Sequence, residues 1–432
     1  MLKKILFFSL LVVAIFAVNV FFVSETKAAT TIGENINTVG NITVTGNILQ
    51  GPNSAIYQND LQVLNASSTN YSVSVGTEAG KNLTNGGTKN VFMGYQAGYT
   101  ATSTGSNTGI GYQSLYSASN SFGPSYSSSN VAVGNETLYN NARGYNNVAV
   151  GTRSLYYNTS GAYNSAVGNY SLPNNTIGMQ NTAVGNDSGY NNTTGSYNSY
   201  LGDQAGMYNY TGEGNVGVGL GSLWWNEVGS WNTAVGYNSL GYQWRQAFAN
   251  TALGYEAGRG HSNGYSNASS TWIGYQAGVN IRTGNSNIAL GYKAADNLTT
   301  GSNNIVIGYD IDAPAVSSAN TLNIGNLLFG KGIDGTGTSL SSGAIGIATT
   351  TPGGWYGEKF TVVGNIYTRG TATTTGDFVV GDGNSTATST VEIGDIDTAA
   401  CIKARDANAD GWTYCYFEDG AMFCTATNVC GK

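Results

Sequence analysis

Asp406, Asn408 and Asp410, followed by Gly411, set three oxygen-bearing side chains at alternate positions of one short run. That is the spacing of the first half of an EF-hand calcium loop, whose side-chain oxygens ligate the ion and whose glycine makes the sharp turn. The place of the closing bidentate carboxylate is taken by Phe417, with Glu418 one position late. Two readings stand for residues 406–411: an extracellular Ca2+ site, or an Asx-rich turn. Nucleophilic catalysis has less to rest on. His261 is the one histidine of the chain, and no Ser, Cys or Asp is marked as its partner, so it reads as a surface side chain. Acids are sparse and do not recur in register, whereas glycosidases need a positioned pair of carboxylates. No catalytic residue is assigned, and the chain reads as a protein without enzymatic activity. A formal net charge of −7 with no basic stripe excludes nucleic acid as a partner.

Aromatic residues carry the next signal. Trp224, Trp225, Trp231 and Trp244 fall close together in the chain. Such side chains offer rigid contact area with a polar handle, so they are a candidate patch for a glycan or protein surface ligand. Packing between turns or between subunits is the other reading. Tyrosine returns at Tyr95, Tyr112, Tyr237, Tyr255, Tyr275, Tyr292 and Tyr309, always next to the same glycine of a repeat, which predicts a partial ladder along one face.

The element that positions these residues is the repeat itself. NVAVG ends at Gly134 and again at Gly151, followed by related phrases ending at Gly168, Gly185, Gly202, Gly219 and Gly236, each 17 residues after the last. The same step links Gly274, Gly291, Gly308 and Gly325, and looser copies end at Gly76, Gly94, Gly111 and Gly254. Fifteen copies at a near-constant period are the mark of a solenoid. Within a copy, alternation sends Val148 and Val150, or Thr233 and Val235, to one side of a strand and Ala149 or Ala234 to the other. The expectation is that Val133, Val150, Val167, Val184, Val218 and Val235 stack as one inward ladder. A second short strand is expected at the Ser154-Leu155 and Ser239-Leu240 pairs, and the Asn-Thr-Thr-Gly segments supply turns. Glycine, 62 of 432 residues, is too frequent for helix. Strands about 4.8 Å apart would make fifteen coils a rod on the order of 70 Å long. The apolar supply per coil is thin, which points to a core shared between chains in a homo-oligomer.

The iterated NTAVG and NVAVG block resembles the head repeats of YadA-like trimeric autotransporter adhesins, a left-handed parallel β-roll. The resemblance spans about 60% of the sequence, residues 71–325. It implies a homotrimer, an extracellular position and an adhesive head. The 17-residue period is longer than in the best-known heads, so a longer turn per coil is expected.

Around that head the chain divides as follows. Lys3 and Lys4, an apolar run from Ile5 to Val23, and the small residues up to Ala29 form an export signal over 1–29, or else an uncleaved segment that would be the only link to a membrane. Residues 30–70 are read as an N-terminal β cap, and 326–400 as a β-rich neck. Within the neck, Ile345 to Thr371 resembles a connector of phage tail fibres, which again implies three chains. Insertions near Ser117 to Ser129 and near Arg259 to Ser270 are expected as loops.

Residues 401–432 hold all four cysteines. An exported chain with an even count forms two disulfides, with three possible connectivities. Asp419-Gly420 between two β-prone runs signals a type I′ hairpin, whose two-residue loop sets Cys415 opposite Cys424 and leaves Cys401 to pair with Cys430. A three-residue loop would set Tyr414 opposite Cys424 instead. No wall-sorting or outer-membrane barrel segment is seen in the sequence. The reading is an all-β, exported, trimeric β-solenoid for adhesion or cell-surface structure. A polysaccharide-active solenoid enzyme and an ice-binding solenoid are the alternatives, the latter needing a Thr array that Val and Ile interrupt.

Overall fold

The computed structural model describes residues 55–58, 61–67, 71–84, 86–118, 127–243, 247–261, 267–351, 360–363, 401–405, 412–418 and 421–425. The export signal, Asp406, Asn408 and Asp410, Trp244, Cys430, and most of the neck lie outside them. Among the described residues every regular element is a strand. A hairpin, β1 (Ala55–Gln58) and β2 (Leu61–Ser67), pairs antiparallel with β3 (Ser72–Val75). From β3 to β17 (Thr321–Ile324), fifteen short strands follow one another, each parallel to its neighbours. At the far end β18 (Leu328–Lys331) and β19 (Ala344–Ile347) return antiparallel, and β20 (Phe360–Val362) follows in the chain. Antiparallel hairpins thus occupy the open edges at both ends of the solenoid, where unpaired strand groups would otherwise template further pairing.

The inward face of the strand corrects the expectation drawn from hydrophobicity. Ala132, Ala149, Ala166, Ala183, Ala234 and Ala252, at the middle of each strand, are fully buried, whereas Val150 and Val167 are exposed and Val133, Val184, Val218 and Val235 only partly covered. The valine ladder therefore lies outside. The reason is on the opposite wall of the coil. Four residues after the repeat glycine stand Leu115, Leu138, Leu155, Leu172, Leu223 and Leu240, all fully buried, and their isobutyl groups fill the space facing the alanines. The expected second strand is absent at these positions. Each leucine sits in a turn in the left-handed region, with φ between 47° and 53°. The compact turn aims the side chain inward where a strand would run past.

Three coils fill the same space from the other wall. Phe92, Tyr200 and Trp272 replace the strand alanine and are buried. In each case the leucine position is glycine in that coil and in the coil before it: Gly98 and Gly80, Gly206 and Gly189, Gly278 and Gly258. A Cβ on Gly98, Gly206 or Gly278 would run into the aromatic ring. Most of the remaining interior is polar and paired, with Thr104 Oγ1, the Asn267 amide, the Trp272 indole N–H and His261 Nδ1 among the unpaired exceptions. Asn181 donates its backbone N–H to Asn164 Oδ1 at 3.0 Å, while Asn164 Nδ2 donates to the Gly178 carbonyl at 2.9 Å, and the pattern repeats coil after coil. A second amide file runs through Asn141, Asn158, Asn175, Asn192, Asn209 and Asn226, each Nδ2 donating to Oδ1 of the preceding residue in the file. Buried amides are tolerable here because every coil supplies the partner its neighbour needs.

The repeat glycine itself is dictated by close approach. At Gly219 φ is +120°, and a Cβ would lie 2.7 Å from the Gly236 carbonyl oxygen of the next coil.

The chain forms two compact units, residues 1–361 and 362–432. The second contains a three-stranded antiparallel sheet of β21 (Cys401–Arg405), β22 (Trp412–Glu418) and β23 (Ala421–Thr425). Its register is the one the two-residue loop predicts: Glu418 faces Ala421, and Cys415 faces Cys424.

Candidate interaction surfaces

Because the alanines turn inward, the first and third residues of every strand turn out. They form two adjacent files along the solenoid, of which Val131 and Val133, Val148 and Val150, Thr182 and Val184, and Ile288 and Leu290 are typical. Thr233, Thr251 and Thr271 stand on three successive coils, but Val216 and Ile288 break the threonine file on either side. The result is a flat, mainly aliphatic strip with no charged side chain among its strand positions from Val91 to Leu290.

Beside it the tyrosine ladder is present in two stretches. Tyr95 stacks on Tyr112 at 5.4 Å, and Tyr237, Tyr255, Tyr275, Tyr292 and Tyr309 stack in series at 5.0–5.2 Å with interplanar angles of 8–12°. A separate file on another corner, Tyr99, Tyr116, Tyr139 and Tyr156, stacks at 4.8–5.1 Å. In both files each ring covers the face of the next, so the ladders present edges and hydroxyls rather than ring faces. Burial, followed by the neighbouring phenols, raises the Tyr139 hydroxyl above its ordinary pKa, and the Glu256 carboxylate is the first cause of the rise at Tyr255. These two phenols stay protonated donors at neutral pH.

The described tryptophans of the cluster, Trp224, Trp225 and Trp231, do not form one patch. Trp224 and Trp225 share a half-buried corner with Tyr208 and Tyr242: Tyr208 stacks on Trp225 at 4.4 Å, and Trp224 stands edge-on to Trp225 at 5.1 Å and to Tyr242 at 5.6 Å. The Trp224 indole N–H points to Met207 Sδ at 3.2 Å. Trp231, only six residues further on, lies on a different edge of the coil, exposed and tilted against Phe248. Proximity in sequence did not translate into proximity on the surface because more than a third of a coil, and with it a corner, separates the two positions.

Asp296 is hydrogen-bonded to Asp312; burial first, then that neighbour, holds its carboxyl above the usual carboxylate range. Carboxyls in direct contact are closer than the roughly 5 Å or more that a glycosidase pair keeps across a glycosidic bond. Among the described residues no three His, Cys, Asp or Glu side chains converge on a metal-sized site. His261 is partly covered, with Nδ1 buried and unpaired at the position other coils give to the buried amide file. Compared with known proteins, the chain matches no family model, no curated sequence and no solved structure.

Proposed function

We propose that this is an exported fibrous protein that self-associates along its strand faces and serves adhesion or cell-surface structure without catalysis. The observation that carries the reading is the outward aliphatic strip. Soluble monomers seldom expose an apolar patch beyond a few hundred Å². Fifteen coils about 4.8 Å apart give a strip on the order of 70 Å long, and two side-chain files make it about 10 Å wide. That is on the order of 700 Å² per chain, close to the roughly 800 Å² each partner contributes to a stable interface. The thin interior supports the same reading, since a core of alanine, leucine and amides leaves the larger aliphatic groups to be buried elsewhere. The similarity of the repeat phrase to YadA-like heads favours three chains, with the strips facing a common axis. Export rests on the N-terminal signal pattern, and the adhesive role on that same similarity and on the exposed aromatics.

Sedimentation equilibrium of the secreted protein tests it. The expected mass is that of three chains. Val150→Lys with Val184→Lys, both on the strip, should yield single chains that keep the β-sheet circular dichroism of the parent. A wild-type protein that sediments as one chain at micromolar concentration sinks the proposal.

A further inference from the structure

One edge of the solenoid carries aromatic residues at a period different from every other file. Tyr163, Tyr197 and Trp231 occupy the same position on alternate coils, 34 residues apart, with Gln180 and Gly214 on the coils between. Their register is fixed by one repeated hydrogen bond: the backbone N–H of Tyr163, Gln180, Tyr197, Gly214 and Trp231 each donates to a carbonyl of the preceding coil, at 2.9–3.1 Å. The three aromatic residues also share one backbone conformation, with φ of 59–63°. All are exposed, by 51%, 58% and 66%.

The period decides what the rings can do. A phenol or indole laid flat is wider than one coil is thick, so a ring on every coil must stand on edge and cover its neighbour, as the stacked tyrosine files do. A ring on every second coil has room to lie down. Trp231 leans that way: its Cδ1 would be 2.9 Å from a Cβ on Gly214, so the indole extends over the preceding coil, whereas Tyr163 meets the Tyr145 ring edge to face at 5.3 Å. Two coil spacings come to about 9.6 Å. This is slightly shorter than, and close to, the disaccharide repeat of an extended β-1,4-linked chain, in which every second sugar presents the same face. The edge is also nearly uncharged. Of the two residue files that form it between Tyr145 and Phe248, only Glu213 bears a charge, which suits a neutral polymer and disfavours a polyanion. Gln180 and Glu213, both exposed, lie between the rungs and can hydrogen-bond the sugar hydroxyls.

We infer that Tyr163, Tyr197 and Trp231 form a docking strip for an extended, uncharged β-1,4-linked polysaccharide lying along the solenoid axis. The inference takes the adhesive role proposed above as its premise and names the ligand class of that surface. Aromatic faces on alternate coils stack on alternate sugars, and the helical α-linked polymers of the same sugars do not match the spacing.

The test is depletion of the full secreted protein from solution by microcrystalline cellulose, by chitin and by starch granules. The wild type should be retained on at least one of the first two, which identifies the polymer, and not on starch. Tyr197→Ala, losing the middle rung, should bind roughly tenfold more weakly, the size of one aromatic stacking contact. The exchange Gln180→Tyr with Tyr197→Gln keeps composition but moves that rung by one coil, and should lose as much. Trp231→Ala, at the most exposed site, serves as a second single variant. Circular dichroism and sedimentation matching the parent qualify each variant. No retention on either β-1,4 polymer, equal retention on starch, or full binding by the exchange variant overturns the inference. Sedimentation separates it from the proposal above. A trimer that ignores both polymers removes the strip and leaves self-association standing, and a monomer that binds does the reverse.

Discussion

A single buried asparagine shows how this interior differs from an oily core. Asn192 Nδ2 donates to Asn175 Oδ1 at 2.9 Å and to the Gly195 carbonyl at 3.0 Å, while its Oδ1 accepts from Asn209 at 2.9 Å. Asn192→Ala leaves those groups without partners in a place water does not reach, and should destabilise the chain by about 1–3 kcal/mol in thermal or denaturant melts. Asn192→Asp has the same shape and a charge the file cannot compensate. Burial would raise the carboxyl pKa in the folded state above its unfolded value. The stability of that variant should therefore increase as pH falls from neutral through the carboxylate range, opposite to a surface salt bridge. Melts at pH 7 and pH 4 read the sign; an Asp variant whose deficit relative to the parent is unchanged at pH 4 would mean the side chain has escaped to solvent. The asparagine period was plain in the sequence. Its role was not, because nothing in one repeat says that an amide can find both partners in the next.

At the level of the coil, strand positions, parallel stacking and period were legible, and the inward face was not. Valine is more apolar than alanine, so the pattern invited placing Val184 inside. That inference fails because burial is a property of the space available, and hydrophobicity alone ranks residues only loosely. The space was already taken by Leu172 and its equivalents, in a turn conformation that leucine rarely adopts and that no propensity would suggest. A clue was nevertheless present in the repeat: glycine replaces this leucine next to Phe92, Tyr200 and Trp272 and nowhere else in the regular coils. The compensation makes a prediction. Trp272→Ala should open a cavity and cost about 3–5 kcal/mol. Adding Gly278→Leu, where φ is already +60°, should restore part of that loss, since leucine at this position holds the same conformation elsewhere. Melting temperatures of the single and double variants decide it, and a double variant less stable than Trp272→Ala would break the argument. For the candidate sites the limit was of the same kind. The tryptophans were found as a cluster in sequence, but only the wrap of a 17-residue coil shows that Trp224 and Trp225 part company with Trp231, which belongs instead with Tyr163 and Tyr197.

Over the whole molecule, stability is a sum of coils and of contacts between adjacent coils, so length is adjustable in whole repeats and in nothing smaller. Removing residues 169–185 deletes one complete coil and joins Gly168 to Asn186, the residue that follows the glycine in the next repeat. Leu155 then faces Gly189 in place of Leu172, and the amide file passes from Asn158 to Asn192 without a gap. The shortened chain should fold with a melting temperature close to the parent, whereas removing about eight residues from the same place would set every later strand sequence against a turn of the preceding coil and prevent folding. The same deletion takes out Gln180 and brings Tyr163 and Tyr197 onto adjacent coils, about 4.8 Å apart in place of about 9.6 Å. A solenoid that merely needs exposed aromatics would keep its hold on a β-1,4 polymer. One that needs them in step with the sugar repeat should bind roughly tenfold more weakly while remaining folded and associated, because only Tyr197 and Trp231 keep the two-coil step, and a depletion assay on the deleted protein, read beside its sedimentation, tells the two apart.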